Sequence, residues 1–211
     1  MGDQVLENLS LKRCVYLSAA ILCLTLSACL ESADALCDDC QTDGSDRNGY
    51  PGTLGTEVGS IIAPLEFVDP NGDPYSLQQV YRTGSNRVLL LTTSAGWCTA
   101  CIEEQAALQT LYTDYAGRGV EILVTVFQKG DYEPADAGFA KQWKRRYELT
   151  YPVVADPPFV MQAYYPGQDA SVTPILLVID VETMIIRERY VGFDDVIVRA
   201  LINNILNEGP S

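Results

Sequence analysis

The chain has no histidine among its 211 residues. Imidazole is the side chain that changes charge near neutral pH, so general base catalysis through it is excluded, as is any His-ligated copper or zinc site. Positive charge is scarce too: 14 Lys and Arg stand against 28 Asp and Glu, a net charge of −14. Residues 1–29 hold Asp3, Glu7, Lys12 and Arg13, which cancel, so the whole excess lies beyond them. Such a surface disfavours nucleic acid and anionic membranes as partners. A long apolar run is also missing. Cys14 to Leu26 holds about a dozen apolar residues, short for a bilayer span and right for the apolar region of an export signal. The rest is ordinary for a globular protein, 47% hydrophobic and 20% charged, and long enough for one domain with a sizeable core.

One stretch organises what is present. Arg87 to Cys101 reads as a short apolar run, a small-residue turn Ser94-Ala95-Gly96, then Trp97 and two cysteines three apart. Ile102 to Leu108 follows as a run of good helix formers. The pattern predicts a buried strand, a turn and a helix, with Cys98 and Cys101 in the first helical turn. Residues i and i+3 on a helix lie roughly 5–6 Å apart at Cβ, so a small adjustment closes a disulfide. Unpaired N–H groups and the positive end of the helix dipole favour a thiolate there. Cys98 is therefore expected to have a lowered pKa and to attack, while Cys101, one turn further in, resolves the mixed disulfide.

A C-x-x-C alone is weak, because structural disulfides and zinc knuckles use it too. Here Trp97 directly precedes it, and Val172-Thr173-Pro174 stands before a second strand, Ile175 to Asp180. On these residues the chain resembles the thioredoxin superfamily, and within it the TlpA/ResA-type thiol–disulfide oxidoreductases of bacterial envelopes, over roughly residues 58–207. The resemblance implies an α/β, thioredoxin-like fold: a central mixed β-sheet flanked by helices on both faces, with an N-terminal β-hairpin extension. It implies that Pro174 is cis and faces the active disulfide, that Thr173 offers backbone groups to an extended substrate, and that Trp97 shields the cysteine pair and packs against the partner. No cofactor and no metal are implied. The partners would be protein thiols and disulfides and a membrane electron donor or acceptor. The domain is expected to be a monomer that binds no nucleic acid.

Two departures stand out. Members of this superfamily usually carry a buried carboxylate six residues before the first cysteine, and here that position is Thr92. A threonine is no base at neutral pH, so help in deprotonating Cys101 must come from water or another group. Glu103 and Glu104 lie past the first helical turn, where as charges they would oppose a thiolate. The inter-cysteine pair Thr99-Ala100 lacks both the proline of reducing thioredoxins and the histidine of strong oxidants, so the direction of electron flow stays open.

Residues 1–29 read as an export signal ending in Leu26-Ser27-Ala28-Cys29, which resembles the bacterial lipobox. Cys29 would receive lipid and become the mature N-terminus, holding the protein at the cell envelope, with the domain in the periplasm or otherwise outside the cytoplasmic membrane. The long, acidic n-region is untypical, and a membrane anchor with Cys29 unmodified is the alternative. Residues 30–57, rich in Asp, Gly and Ser, read as a tether of about 28 residues spanning roughly 30 Å. Within it Cys37 and Cys40 form a second C-x-x-C. The adjacent carboxylates disfavour a thiolate, so a local disulfide is the plainer reading, beside an auxiliary redox pair or half of a metal site.

The domain is expected from residue 58 to 211. Its elements read as a hairpin around Asp69 to Pro74, a short helix capped by Ser76, and helix Thr99 to Ala116 closed by Gly117 and Gly119. Then come strand Val120 to Phe127, helix Ala135 to Tyr147, strand Tyr151 to Ala155, and a short helix begun by Asp156-Pro157-Pro158. The hairpin Ile175 to Val191 and helix Phe193 to Leu206 close the chain. Lys141, Lys144, Arg145 and Arg146 read as a solvated helix face. Two other functions stay open: a peroxiredoxin-like peroxidase, disfavoured because no Pro lies between Arg87 and Cys98, and a non-catalytic binding module whose disulfide is structural.

Overall fold

The computed structural model describes residues 49–208. The export signal, the lipobox cysteine Cys29 and the Cys37/Cys40 pair lie outside them.

Seven strands form one mixed sheet: β1 (Glu66–Val68), β2 (Pro74–Ser76), β3 (Val88–Ala95), β4 (Val120–Gln128), β5 (Val153–Ala155), β6 (Ile175–Asp180) and β7 (Ile185–Val191). Their order is β2-β1-β5-β4-β3-β6-β7. The central β3 pairs parallel with β4 and antiparallel with β6. Every residue of β3 is buried, as its unbroken apolar start predicts for a strand covered on both faces.

Alternation along β3 sorts the core into two layers. Val88 and Leu90 face α2 (Thr99–Tyr115), α3 (Ala137–Arg146) and α4 (Asp195–Asn207), among Leu108, Leu111, Trp143 and Ile202. Leu89 and Leu91 face the other way, onto Leu77 and Val80 of α1 (Leu77–Thr83) and onto Met161 and Tyr164. Helical segments thus cover both faces of the sheet.

The hairpin β1–β2 stands at one edge, as the turn residues 69–74 imply. Asp69 organises that turn: its Oδ1 accepts from Asn71 N at 2.8 Å and Asp73 N at 2.9 Å. Ser76 caps α1 with a full capping box, its Oγ accepting from Gln78 N and its own N–H donating to Gln79 Oε1.

Three helix starts differ from the sequence reading, and each difference has an aspartate behind it. Helix α3 begins at Ala137 because Asp136 accepts from Phe139 N at 2.8 Å. Helix α4 begins at Asp195 because Asp194 accepts from Val196 N and Ile197 N, both at 3.0 Å. Asp156-Pro157-Pro158 does not open a helix with proline in its first turn. The buried Asp156 carboxylate instead accepts from Val160 N at 2.8 Å and Met161 N at 3.1 Å, and Phe159 between them takes a left-handed φ of 54°. Three short 3-10 turns follow, Val160–Tyr164, Pro166–Gln168 and Ala170–Val172.

The last residues of the expected tether touch the domain. Gly55 N donates to Ile61 O at 2.9 Å, Arg189 pairs with Glu57 at 3.1 Å, and the Tyr50 ring meets Tyr81 edge-on at 5.6 Å.

Candidate functional site

Cys98 stands where β3 hands over to α2. It is the N-cap of α2, with extended backbone, and its Sγ accepts from Cys101 N at 3.1 Å. The two cysteines form a disulfide across a Cα–Cα distance of 5.3 Å. Cys98 is 5% exposed and Cys101 0%, so a partner can reach only the first. Thr99 and Ala100 between them are exposed. Thr173 O lies 3.9 Å from Cys98 Sγ, and the Thr173–Pro174 peptide is cis. The fold therefore brings together Cys98, Cys101, Thr173 and Pro174, which are distant in sequence.

The turn into α2 depends on Gly96. Its N–H donates to Gln128 O at 2.8 Å, and a Cβ at this position would sit 2.5 Å from Gly130 N and 2.8 Å from Lys129 C. Both are backbone atoms, so the loop after β4 would have to move. Gly96→Ala is expected to lower stability by about 2 kcal/mol, in the range of an overpacked site. The check is a urea titration. A midpoint equal to wild type would mean that the loop yields freely.

Trp97 is half-buried and held on three sides. Its Nε1–H donates to Gln128 Oε1 at 3.1 Å, its ring stacks on Tyr132 at 5.7 Å, and it meets Phe127 edge-on at 6.1 Å. Phe127 in turn stacks on Phe159 at 3.9 Å. Behind Pro174 lies a hydroxyl cluster. Tyr165 Oη hydrogen-bonds Thr93 Oγ1 at 2.6 Å and also Thr173 Oγ1, while Thr93 Oγ1 accepts from Ile175 N at 3.0 Å. The chain is thus fastened on both sides of Pro174.

The expectation that Glu104 opposes a thiolate as a charge does not hold. Glu104 lies one turn after Cys101 on the same helix face, is 8% exposed, and meets Thr92 Oγ1 at 3.2 Å. Burial outweighs that hydrogen bond and pushes its pKa up to about 8, so the carboxyl is largely neutral at pH 7. Thr92 has one hydroxyl proton and two oxygen partners, Glu104 Oε1 and the Ile175 carbonyl at 3.0 Å. The Thr92 hydroxyl is placed to donate to either, and its bond to Glu104 favours the ionised carboxyl without outweighing burial. The cleft beside them, about 330 Å³, is lined by Ala100, Glu103, Glu104, Gly192 and Phe193.

A carboxyl is therefore buried beside Thr92, carried by the helix rather than by the strand. Its i+3 spacing from Cys101 was the available signal, and the acidic pair Glu103-Glu104 masked it. Glu103 is exposed and Glu104 is not. Among the described residues, no group of three or more His, Cys, Asp and Glu side chains is placed to hold a metal ion, and no helix is long and apolar enough to cross a membrane.

Solved structures share this architecture. A secreted thiol-disulfide isomerase from Corynebacterium glutamicum superposes with a TM-score of 0.58 at 21% identity, over 71% of this chain and 86% of its own. The thioredoxin domain of a thiol-disulfide oxidoreductase from Bacteroides vulgatus gives 0.55 at 16% identity, over 72% of this chain and 100% of its own. A thiol:disulfide interchange protein of the thioredoxin family from Chlorobium tepidum gives 0.54 at 19%, over 69% and 95%. These likenesses establish the thioredoxin-like fold. No curated protein sequence matches the chain. The model of the AhpC/TSA family matches residues 58–191, from the approach to the hairpin to the end of β7, with both cysteines and Pro174 inside it: the chain belongs to the AhpC/TSA family.

Proposed function

We propose that the protein is a thiol–disulfide oxidoreductase acting on protein disulfides, with Cys98 as nucleophile and Cys101 as resolving thiol. The observation that carries this reading is the asymmetry of the pair. A disulfide joins a cysteine at a helix N-cap, within reach of solvent, to one fully buried behind it.

In the reducing direction, the Cys98 thiolate attacks one sulfur of a substrate disulfide. The substrate S–S bond breaks, a Cys98–substrate mixed disulfide forms, and the other substrate sulfur leaves as a thiolate that takes a proton from water. Cys101 then gives up its proton and attacks Cys98 Sγ. The second substrate sulfur departs, and Cys98–Cys101 closes with two electrons passed to the substrate. Glu104, on the same helix face as Cys101, takes the Cys101 proton when ionised and returns it to water through the neighbouring cleft. This is the group that the threonine at position 92 left unassigned. The oxidising direction runs the same steps in reverse. Thr173, with its carbonyl near Cys98, and Trp97 would flank an extended substrate chain.

We further infer that Cys29 carries a lipid, that the following residues tether the domain outside the cytoplasmic membrane, and that a membrane thiol protein exchanges electrons with the pair. The lipobox and the acidic, Gly-rich segment after it support this. Membrane partitioning in detergent that persists after Cys29→Ala would count against the lipid anchor.

The direct test of activity supplies dithiothreitol and follows insulin reduction beside hydrogen peroxide consumption. The dithiol reading expects insulin reduction well above the uncatalysed rate and no peroxide turnover. Peroxide turnover without insulin reduction would move the protein to the peroxidase reading.

A further inference from the structure

Gln105 is a buried amide one turn after Cys101 on α2, 1% exposed. Both of its ends are engaged. Its Nε2 donates to the Cys101 carbonyl at 2.6 Å, while its Oε1 accepts from Tyr151 Oη at 3.2 Å and from Trp143 Nε1 at 3.3 Å. Trp143 belongs to α3, and Tyr151 stands just before β5. Both lie in the apolar layer that also holds Leu108 and Leu111.

The amide can point only one way. An indole N–H only donates, so it needs the amide oxygen; a carbonyl only accepts, so it needs the amide nitrogen. Burial, and after it the nearby Glu104 carboxyl, pushes the Tyr151 phenol pKa up, so Tyr151 stays a donor at working pH. Packing alone does not call for this arrangement. Apolar side chains at all three positions would satisfy the core without any buried polar atom to pair.

The network ties down the resolving cysteine. Helices α1, α3 and α4 begin at oxygen caps, Ser76, Asp136 and Asp194. Helix α2 begins at the sulfur of Cys98, a weak acceptor, which takes Cys101 N at 3.1 Å. Its first turn is therefore held less firmly from the cap side. In the oxidised protein the Cys98–Cys101 bond compensates. In the mixed disulfide that bond is absent, because Cys98 is joined to the substrate.

Taking the dithiol reading above as its basis, we propose that Gln105 is a positioning residue for the resolving step. Through the Cys101 carbonyl it keeps the first turn of α2 in place while no disulfide joins the two cysteines. The chemistry is unchanged: the Cys101 thiolate attacks Cys98 Sγ, the Cys98–Cys101 bond forms, the Cys98–substrate bond breaks, and the substrate sulfur leaves with the electron pair and takes a proton. Gln105 raises the effective concentration of Cys101 at Cys98. Its loss should slow resolution and also make closure of the disulfide less favourable.

The test uses the full chain with Cys14, Cys23, Cys29, Cys37 and Cys40 replaced by Ser, reduced and mixed with dithiobis-nitrobenzoate in a stopped-flow instrument. Attack by Cys98 releases one coloured thiolate, and attack by Cys101 on Cys98 Sγ releases a second. Gln105→Met keeps the bulk of the side chain and removes both hydrogen-bonding ends. The first phase should be unchanged and the second about tenfold slower at every pH, unlike the pH-dependent loss that follows from removing a base at Glu104. The equilibrium constant for disulfide closure against glutathione should fall about tenfold as well, raising the potential by about 30 mV. Tyr151→Phe removes a single hydroxyl and should shift both readings the same way by two- to fourfold; it decides the question if Gln105→Met does not fold. A lower urea midpoint with a wild-type second phase and a wild-type glutathione equilibrium would make the amide purely structural and overturn the proposal. A deficit confined to the first phase would overturn it too. If the wild-type pair shows no second phase and no exchange with glutathione, the dithiol reading itself falls, and the proposal with it.

Discussion

A Cys98→Ser chain is expected to reduce no insulin, and a Cys101→Ser chain to accumulate a stable adduct with the substrate. Without Cys98, the buried Cys101 has no path to a substrate sulfur, since it is 0% exposed. Turnover should fall to the uncatalysed level. Without Cys101, the first exchange still occurs because Cys98 remains at the helix N-cap, where free N–H groups favour its thiolate. The second exchange has no attacking group, so the mixed disulfide persists and runs as a heavier band on a non-reducing gel. Peptide mass mapping must place it on Cys98, because the chain also carries Cys14, Cys23, Cys29, Cys37 and Cys40. An adduct on Cys37 or Cys40 in the Cys98→Ser chain, with activity retained, would transfer the chemistry to the second pair.

Glu104→Gln separates catalysis from stability, and the two effects have opposite signs. Gln fits the same space and can hydrogen-bond Thr92, but it cannot take the Cys101 proton. Resolution of a preformed Cys98 mixed disulfide should slow about a hundredfold, the usual size of a lost general base. In wild type the resolution rate should climb as pH approaches about 8, where Glu104 ionises, and the variant should lose that rise. Stability moves the other way. Below pH 4.5 Glu104 holds its proton in both folded and unfolded chains. Between 4.5 and about 8 only the folded chain keeps it, so its contribution to stability declines as pH rises through that window. Gln has no proton to lose. The variant should therefore gain on wild type by about 3 kcal/mol between pH 4 and pH 7. Urea titrations at the two pH values give that difference, and stopped-flow resolution gives the rate. Unchanged resolution kinetics would remove Glu104 from the proton path and leave it a buried carboxyl without a role.

The parts of the fold that were legible are those written locally. The apolar run 88–91, the small-residue turn and the helix formers after Cys101 predict strand, turn and helix. Asp69 to Pro74 predicts the hairpin turn, and Ser76 predicts a cap. What escaped depends on contacts across long sequence separations. Thr92 meets Glu104 and Ile175, and Thr93 meets Tyr165, yet no periodicity links these positions. The acidic pair Glu103-Glu104 reads as two charges opposing a thiolate, and only helix phase against β3 buries the second of them. Pro157 and Pro158 look like a helix start. The competing use of Asp156, capping residues beyond a left-handed Phe159, moves that start downstream.

The central claim is that Cys98 and Cys101 form a reversible redox couple, and equilibrium titration tests it most directly. The protein would be poised in glutathione and dithiothreitol buffers, with the redox state followed by tryptophan fluorescence, since Trp97 adjoins Cys98, and checked by thiol alkylation. A two-electron transition between about −120 and −270 mV is the result expected. A midpoint near the lower value marks a reductant fed from the membrane, and one near the upper value an oxidant that donates its disulfide. A disulfide that never exchanges with either buffer would contradict the account and leave a binding module with a structural cross-link.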